Sequence, residues 1–232
     1  MKLSSLQRRI GKRVHEICLH ECGHAVANHL LRYGTYVLGV EKSRWKHGGT
    51  LQGWCYGNPH WKRTPDLGKL LDQGICHLAG YAAEILCGVL GDYDLETLAG
   101  GQVIFHDETA DLEAHFEIGV DLWRRFPEYR RAIGDLEHAE AGLIDAVHFL
   151  RPYREEIEKM AATLEEKFWA SKDLYAVLFP EDVERIIGVP PSGMLSVPEA
   201  ARLLGIHRKK VPALPGVVTF SGVHRVPASL VA

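Results

Sequence analysis

The stretch His20-Glu21-Cys22-Gly23-His24 constrains this chain more than any other. It lies within Val14 to Leu31, where Ile17, Cys18, Ala25, Val26, Leu30 and Leu31 recur at spacings compatible with one buried helical face. Residues four apart share a helix face, so both imidazoles can bind one zinc ion. Glu21, one step round, can reach a water at the metal. That is the arrangement of a metallopeptidase: zinc lowers the pKa of its water toward ~7 and polarises a carbonyl, while the carboxylate takes the proton. Two histidines on a solvated helix would give the same letters by coincidence. The flanks, Ile17 and Leu19 before and Ala25 and Val26 after, instead put the segment in a core, where two unsatisfied imidazoles and a carboxylate are costly. Zinc accounts for the segment better than chance.

Composition narrows the remaining classes. At ~150 residues per domain, 232 residues make one main domain plus a small appendage. Hydrophobic residues at 46% and charged residues at 25% are ordinary globular values and exclude a disordered or fibrous chain. The 27 basic and 30 acidic side chains nearly cancel, so no global field steers the chain to nucleic acid or an anionic membrane. No uncharged apolar run approaches the ~18 residues of a spanning helix; the best is Ile85 to Gly91. Met1 to Arg13 carries basic residues without the apolar stretch of a secretory signal. Five cysteines, an odd number scattered through apolar stretches, fit reduced thiols, and the expected location is cytoplasmic, with no membrane partner.

Two further helical tracts are expected. Leu67 to Leu90 is rich enough in Ala, Leu, Ile and Cys to be buried nearly all round. A third helix begins near Thr109, carries Leu112, Phe116, Val120 and Trp123 on one stripe, and stops at Phe126 before Pro127. Tyr36 to Val40 and Thr50 to Tyr56 read as short strands between glycines. Ala139 to Phe168 is a long helical stretch broken at Pro152, and Pro180 to Ile187 a short helix. The run Gly188 to Gly193 marks a boundary, giving domains 1–189 and 190–232. The expected fold is mainly α (α+β): a helical domain with a small β-sheet beside the zinc helix, followed by a small winged helix-turn-helix-like segment.

A catalytic zinc needs a third protein ligand, and the candidates are Glu84, His106, Asp107, Glu108, Asp111 and His115. Asp111 shares a helix face with His115, Ile118 and Leu122, and spacing alone leaves it only slightly ahead of Glu84. A resemblance separates the two. Val14 to Leu31 resembles the zinc helix of the FtsH family of AAA zinc proteases, with its motif His-Glu-Ala-Gly-His-Ala. Leu78 to Ile85 is similar to that family's Leu-Gly-Gly-Arg-Ala-Ala-Glu-Glu, and Ala110 to Glu113 to its Asn-Asp-Leu-Glu. The resemblance covers about residues 14 to 187. It implies zinc ligands His20, His24 and Asp111, the base Glu21, and Glu84 as a partner orienting the site. Cys22, Tyr81, Ile85 and Ala110 depart from the family pattern without removing a ligand or the base. Cys18 and Cys22 also form an i, i+4 pair, for which small buried thiols are the simpler account.

Nothing matches a phosphate-binding Gly-x-x-x-x-Gly-Lys-[Ser/Thr], and no room for a nucleotide-binding unit exists upstream of His20, so the implied peptidase works without ATP. Its substrates are exposed peptides or unfolded polypeptide segments. Thr50, Leu51, Gln52, Gly53 and Trp54 correspond in position to the family's edge strand, which pairs with extended substrate; an ordinary core strand with Trp54 packed inward is the plainer alternative.

Met194 to Ala232 carries five basic side chains against Glu199 alone. Ser196 to Ile206 has a Ser N-cap, Pro at the start and Gly205 at the end of a short helix, His207 to Leu214 a second segment, and Gly222 to Pro227 a wing strand. The segment resembles excisionase and MerR-like helix-turn-helix modules, although Pro212 and Pro215 would truncate the second helix. DNA contacts are expected from Arg208, Lys209, Lys210 and Arg225, against a docking hairpin as the plain reading. The expected function is an ATP-independent zinc metalloendopeptidase, DNA-associated through this segment and able to form a homo-oligomer. The rival is a non-catalytic DNA-binding regulator on a peptidase-like scaffold.

Overall fold

Helix α1 (Ser5–Leu30) is the axis of the molecule. Val14, Cys18, Leu19, Cys22, Ala25 and Val26 fall on its inward side, and all are fully buried. The helix begins well before the expected Val14. Strands β1 (Thr35–Lys42) and β2 (Leu51–Gly57) follow, then helix α2 (Leu67–Leu86). Helices α3 (Ala110–Arg125), α4 (Pro127–Ile133), α5 (His138–Leu150) and α6 (Arg154–Ala170) lead to strand β3 (Tyr175–Leu178) and helix α7 (Pro180–Ile187). The computed structural model describes residues 5–31, 35–42, 51–57, 67–89, 110–134, 136, 138–188, 194–196, 200–201, 204–206, 208–214, 217–220 and 223–227.

Small residues on α2 let α1 come close. A Cβ at Gly23 would collide with the Ala79 carbonyl oxygen and the Ala83 methyl, so the two backbones touch there. The other flank of α1 lies against β1, β2 and α6. The sheet is antiparallel in the order β2-β1-β3. Leu38 and Val40 of β1, with Ala176 and Leu178 of β3, turn inward and are buried against the helices. The alternate residues turn outward, as the two-residue period of a strand requires. Strand β3 is an element the sequence reading lacks. The break at Pro152 falls where expected, in the 3-10 turn Arg151–Tyr153 between α5 and α6. At α3 the helix ends at Arg125, and Pro127 then occupies the first turn of α4.

The stripe on α3 is corrected. His115, Gly119 and Leu122 face the core, whereas Phe116 and Trp123 are exposed and Val120 is half-buried. Backbone clearance decides this. Gly142 and Gly74 leave a slot that the His115 ring fills, and the His138 side chain packs over Gly119.

In the C-terminal stretch, β4 (Met194–Ser196), β5 (Val218–Phe220) and β6 (Val223–Pro227) form a second antiparallel sheet in the order β4-β6-β5. Where a wing strand was expected, at Gly222 to Pro227, the chain forms the strand β6. Ser196, expected as a helix N-cap, is instead the last residue of β4, paired with Arg225. Ala200 and Ala201 are helical, and Gly205 turns the chain at φ 63°. Instead of a recognition helix there is a six-residue 3-10 turn, Arg208–Ala213, with Pro212 inside it. Proline removes the N–H that an α-helix would use, which favours the shorter turn. Ala200, Ala201, Val211 and Val226 make a small core of their own. The expected boundary residues Pro190 and Pro191 lie outside the described residues, and no described helix is long and apolar enough to cross a membrane.

Candidate metal centre

The two motif histidines meet as the helical spacing requires. Their Nε2 atoms lie 3.1 Å apart, with ring centroids at 4.8 Å and planes crossed at 72°. Each ring is held from behind. His20 Nδ1–H donates to Glu84 Oε1 at 2.7 Å, and His24 Nδ1–H donates to the carbonyl of Cys76 at 2.7 Å. Both acceptors come from α2, so α1 supplies the imidazoles and α2 fixes their orientation. Since a carbonyl and a carboxylate can only accept, each Nδ1 carries a proton, and in the neutral form of such a ring the lone pair sits at Nε2. Two lone pairs converging at 3.1 Å suit a shared cation. For tetrahedral zinc with Zn–N near 2.0–2.1 Å, the separation between two ligand nitrogens is about 3.3 Å. The pair therefore fits zinc.

Glycines make the room. A Cβ at Gly80 would land on the His20 ring, 2.5 Å from Cε1 and 2.6 Å from Cδ2. On the opposite side, a Cβ at Gly53 would come within 2.5 Å of Glu21 Oε1 and of the Ile17 methyl. The Glu21 carboxylate is thus buried against the inner face of β2, one of the two edge strands of its sheet among the described residues. Tyr81, where the resemblance has Arg, stands edge-on to the His20 ring at 5.1 Å.

The other expected site residues distribute unevenly. Glu84 sits behind His20, its Oε1 accepting from Nδ1. Asp111 lies in the first turn of α3, which packs on α2, but its side chain is outside the described residues, as are His106, Asp107 and Glu108. His115 is buried between α2, α3 and α5 and donates from Nε2 to the His138 carbonyl at 3.0 Å. Burial pushes its pKa down to about 4. Among the described residues no third His, Cys, Asp or Glu side chain joins the two histidines in a cage. Cys18 and Cys22 are buried, and desolvation pushes both thiols well up, Cys18 to about 12, which keeps them protonated and inert.

Leu51, Gln52, Gly53 and Trp54 all lie on β2, and Thr50 lies outside the described residues. Trp54 does not pack inward: it lies across Gly39 on the outer face, 5.8 Å from the Tyr175 ring. Arg208, Lys209 and Lys210 are exposed on the 3-10 turn, and the Arg225 side chain lies outside the described residues. The roles of three participants in packing the site escaped the sequence reading. The Cys76 carbonyl carries no residue-type signal. Gly80 and Gly53 do: a glycine inside a helix or strand costs stability and marks a close approach.

Comparison of the chain with protein-family models gives no match, and comparison with curated proteins gives none either.

Proposed function

We propose that the chain is a zinc metalloendopeptidase that cleaves exposed or unfolded polypeptide segments without ATP. The observation that carries the reading is the convergence of His20 and His24 Nε2 at 3.1 Å with both Nδ1 protons committed elsewhere. A carboxylate on the adjoining residue, buried against a strand, completes the chemistry. Zinc, when bound, supplies a Lewis acid that polarises the scissile carbonyl and acidifies water. His20 and His24 would hold it, with Asp111 as the third ligand that the FtsH-like resemblance implies. Glu21 takes the proton from the attacking water and delivers it to the departing amine nitrogen. Glu84 and the Cys76 carbonyl favour the imidazole tautomer whose lone pair is at Nε2. The outer edge of β2 aligns an extended substrate by main-chain hydrogen bonds.

The test is cleavage of casein and a peptide library by the wild type and by Glu21→Gln at equal zinc content. We expect the wild type to cleave and the variant to lose at least about 10²-fold of the rate, the contribution of a positioned proton-transfer group. Equal rates would remove Glu21 from the chemistry.

A second element of the proposal rests on the row Arg208, Lys209 and Lys210, exposed together on a turn that packs beside β6. These side chains hold phosphates of DNA and keep the peptidase near DNA-associated substrates, a repressor or similar regulator, by raising its local concentration. The rival reading, a regulator that binds DNA and cleaves nothing, is the outcome if DNA binding is found and cleavage is not.

A further inference from the structure

The side of α3 turned away from the core carries large apolar side chains that nothing in the zinc chemistry uses. Phe116 is 65% exposed and Trp123 47%, and Val120 between them is half-buried. At 3.6 residues per turn, Val120 points almost straight away from the buried His115 and Leu122. Phe116 and Trp123 then flank Val120 on one side, and the exposed Glu117 and Arg124 flank it on the other. The guanidinium of Arg130, on α4, stands 4.8 Å from the centre of the Trp123 ring and steadies the indole. Asp121 and Arg125 pair with each other along the helix at 2.5 Å, whereas Glu117 and Arg124 make no ion pair among the described residues.

We propose that this face docks on the same face of a second copy of the chain, α3 against α3 in antiparallel orientation, about a two-fold axis that passes Val120. A two-fold interface has to be complementary to itself. Phe116 stands four residues before Val120 and Trp123 three after it, while Glu117 stands three before and Arg124 four after. Reversing one helix against the other therefore sets each Phe116 on the partner's Trp123 and each Glu117 beside the partner's Arg124, with the two Val120 side chains meeting on the axis. Charge selects both the occupant and the direction. A parallel pair would set Glu117 on Glu117 and Arg124 on Arg124; the antiparallel pair sets every carboxylate beside a guanidinium and opposes the two helix dipoles. A partner of different sequence has no reason to match this arrangement, and a second copy matches it by symmetry. The aromatic area covered is area that the free chain leaves in water. An interface one helix wide falls below the ~1,200 Å² of a standard one, so the pair is reversible, with a Kd on the order of 10 μM. The pairing depends neither on zinc nor on the peptidase reading.

Sedimentation equilibrium of the full chain over about 2 to 200 μM should show a monomer–dimer equilibrium. Phe116→Ser should weaken the dimer by about 10²-fold or more, because the lost contact occurs twice. Glu117→Arg and Arg124→Glu should each weaken it about tenfold by setting like charges together. The double variant should return to within about threefold of the wild type, and so should an equimolar mixture of the two single variants, in which one copy carries two bases and the other two acids. All three positions are exposed, and circular dichroism checks that each variant is folded. A chain that stays monomeric throughout would overturn the proposal and leave the face to a different partner. A dimer indifferent to Phe116→Ser, or charge variants that do not rescue each other, would overturn it by placing the contact elsewhere.

Discussion

Replacing Gly80 by alanine should separate metal binding from folding. The new methyl would occupy the space of the His20 ring, within 2.6 Å of Cδ2, and α2 could withdraw only by giving up the close contacts of Ala79 and Ala83 with α1 at Gly23. The ring must therefore swing away from Glu84, breaking the 2.7 Å bond to Oε1. Loss of a hydrogen bond to a charged group costs about 1.5–3 kcal/mol, and the substitution returns about 1 kcal/mol of helix propensity. The net destabilisation is about 0.5–2 kcal/mol, a shift of only a few degrees in Tm for a chain of this size. Zinc affinity falls much further. Losing the partner that orients a ligand costs about 10–100-fold, and here the ligand itself is displaced. Competition titration against a chromophoric chelator reads the affinity, and urea unfolding of the apo chain reads the stability. Zinc affinity within about threefold of the wild type, in a variant of the expected stability, would refute the packing argument.

Asp111→Ala should lower zinc affinity by more than the roughly 10–100-fold cost of losing a supporting partner, read by the same titration. Stoichiometric zinc of unchanged affinity would remove Asp111 from the ligand set. His115, neutral in the folded core with its pKa near 4 against 6.5 in the unfolded chain, makes stability fall as pH drops from about 6.5 toward 4. Above pH 6.5 the effect is absent, because the unfolded state then binds no extra proton. Desolvation dominates the shift, and His77 and His138 facing the ring add to it. The loss reaches about 3 kcal/mol, and urea unfolding of His115→Asn should show that much less slope over this interval. For the tail, DNA affinity of the full chain should fall with salt at a log–log slope of about −2.7 for three phosphate contacts. A chain truncated after Gly188 should lose that component. Equal binding by both would leave the basic turn without a DNA role.

The histidine pair was legible because a helix has one period: His20 and His24 share a face in any sequence that folds helically, and the apolar flanks settle that this one does. Glu84 was legible through the order of motifs, and its side chain does stand behind His20. What holds His24 was not, since a main-chain carbonyl belongs to every residue alike. The strands at Thr35–Lys42 and Leu51–Gly57 followed from aromatic and β-branched residues between glycines, but Tyr175–Leu178 is four residues long, and its strand state comes from pairing with β1. The reversed face of α3 shows the same limit. Phe116 and Trp123 are more apolar than His115 and Gly119, yet the space left by Gly74 and Gly142 takes a histidine ring and brings that face inward. Packing clearance between helices is set by three elements at once, and no single stretch of sequence carries it.

Zinc K-edge absorption of the purified chain reads the proposed site itself. One zinc per chain is expected, with two imidazole nitrogens near 2.0–2.1 Å and oxygen in the remaining positions. Loss of one imidazole contribution is expected in His24→Ala. Sulfur scattering near 2.3 Å would place the metal on the cysteines, and an unchanged spectrum in His24→Ala would place it elsewhere. Either result would contradict a site built on His20 and His24.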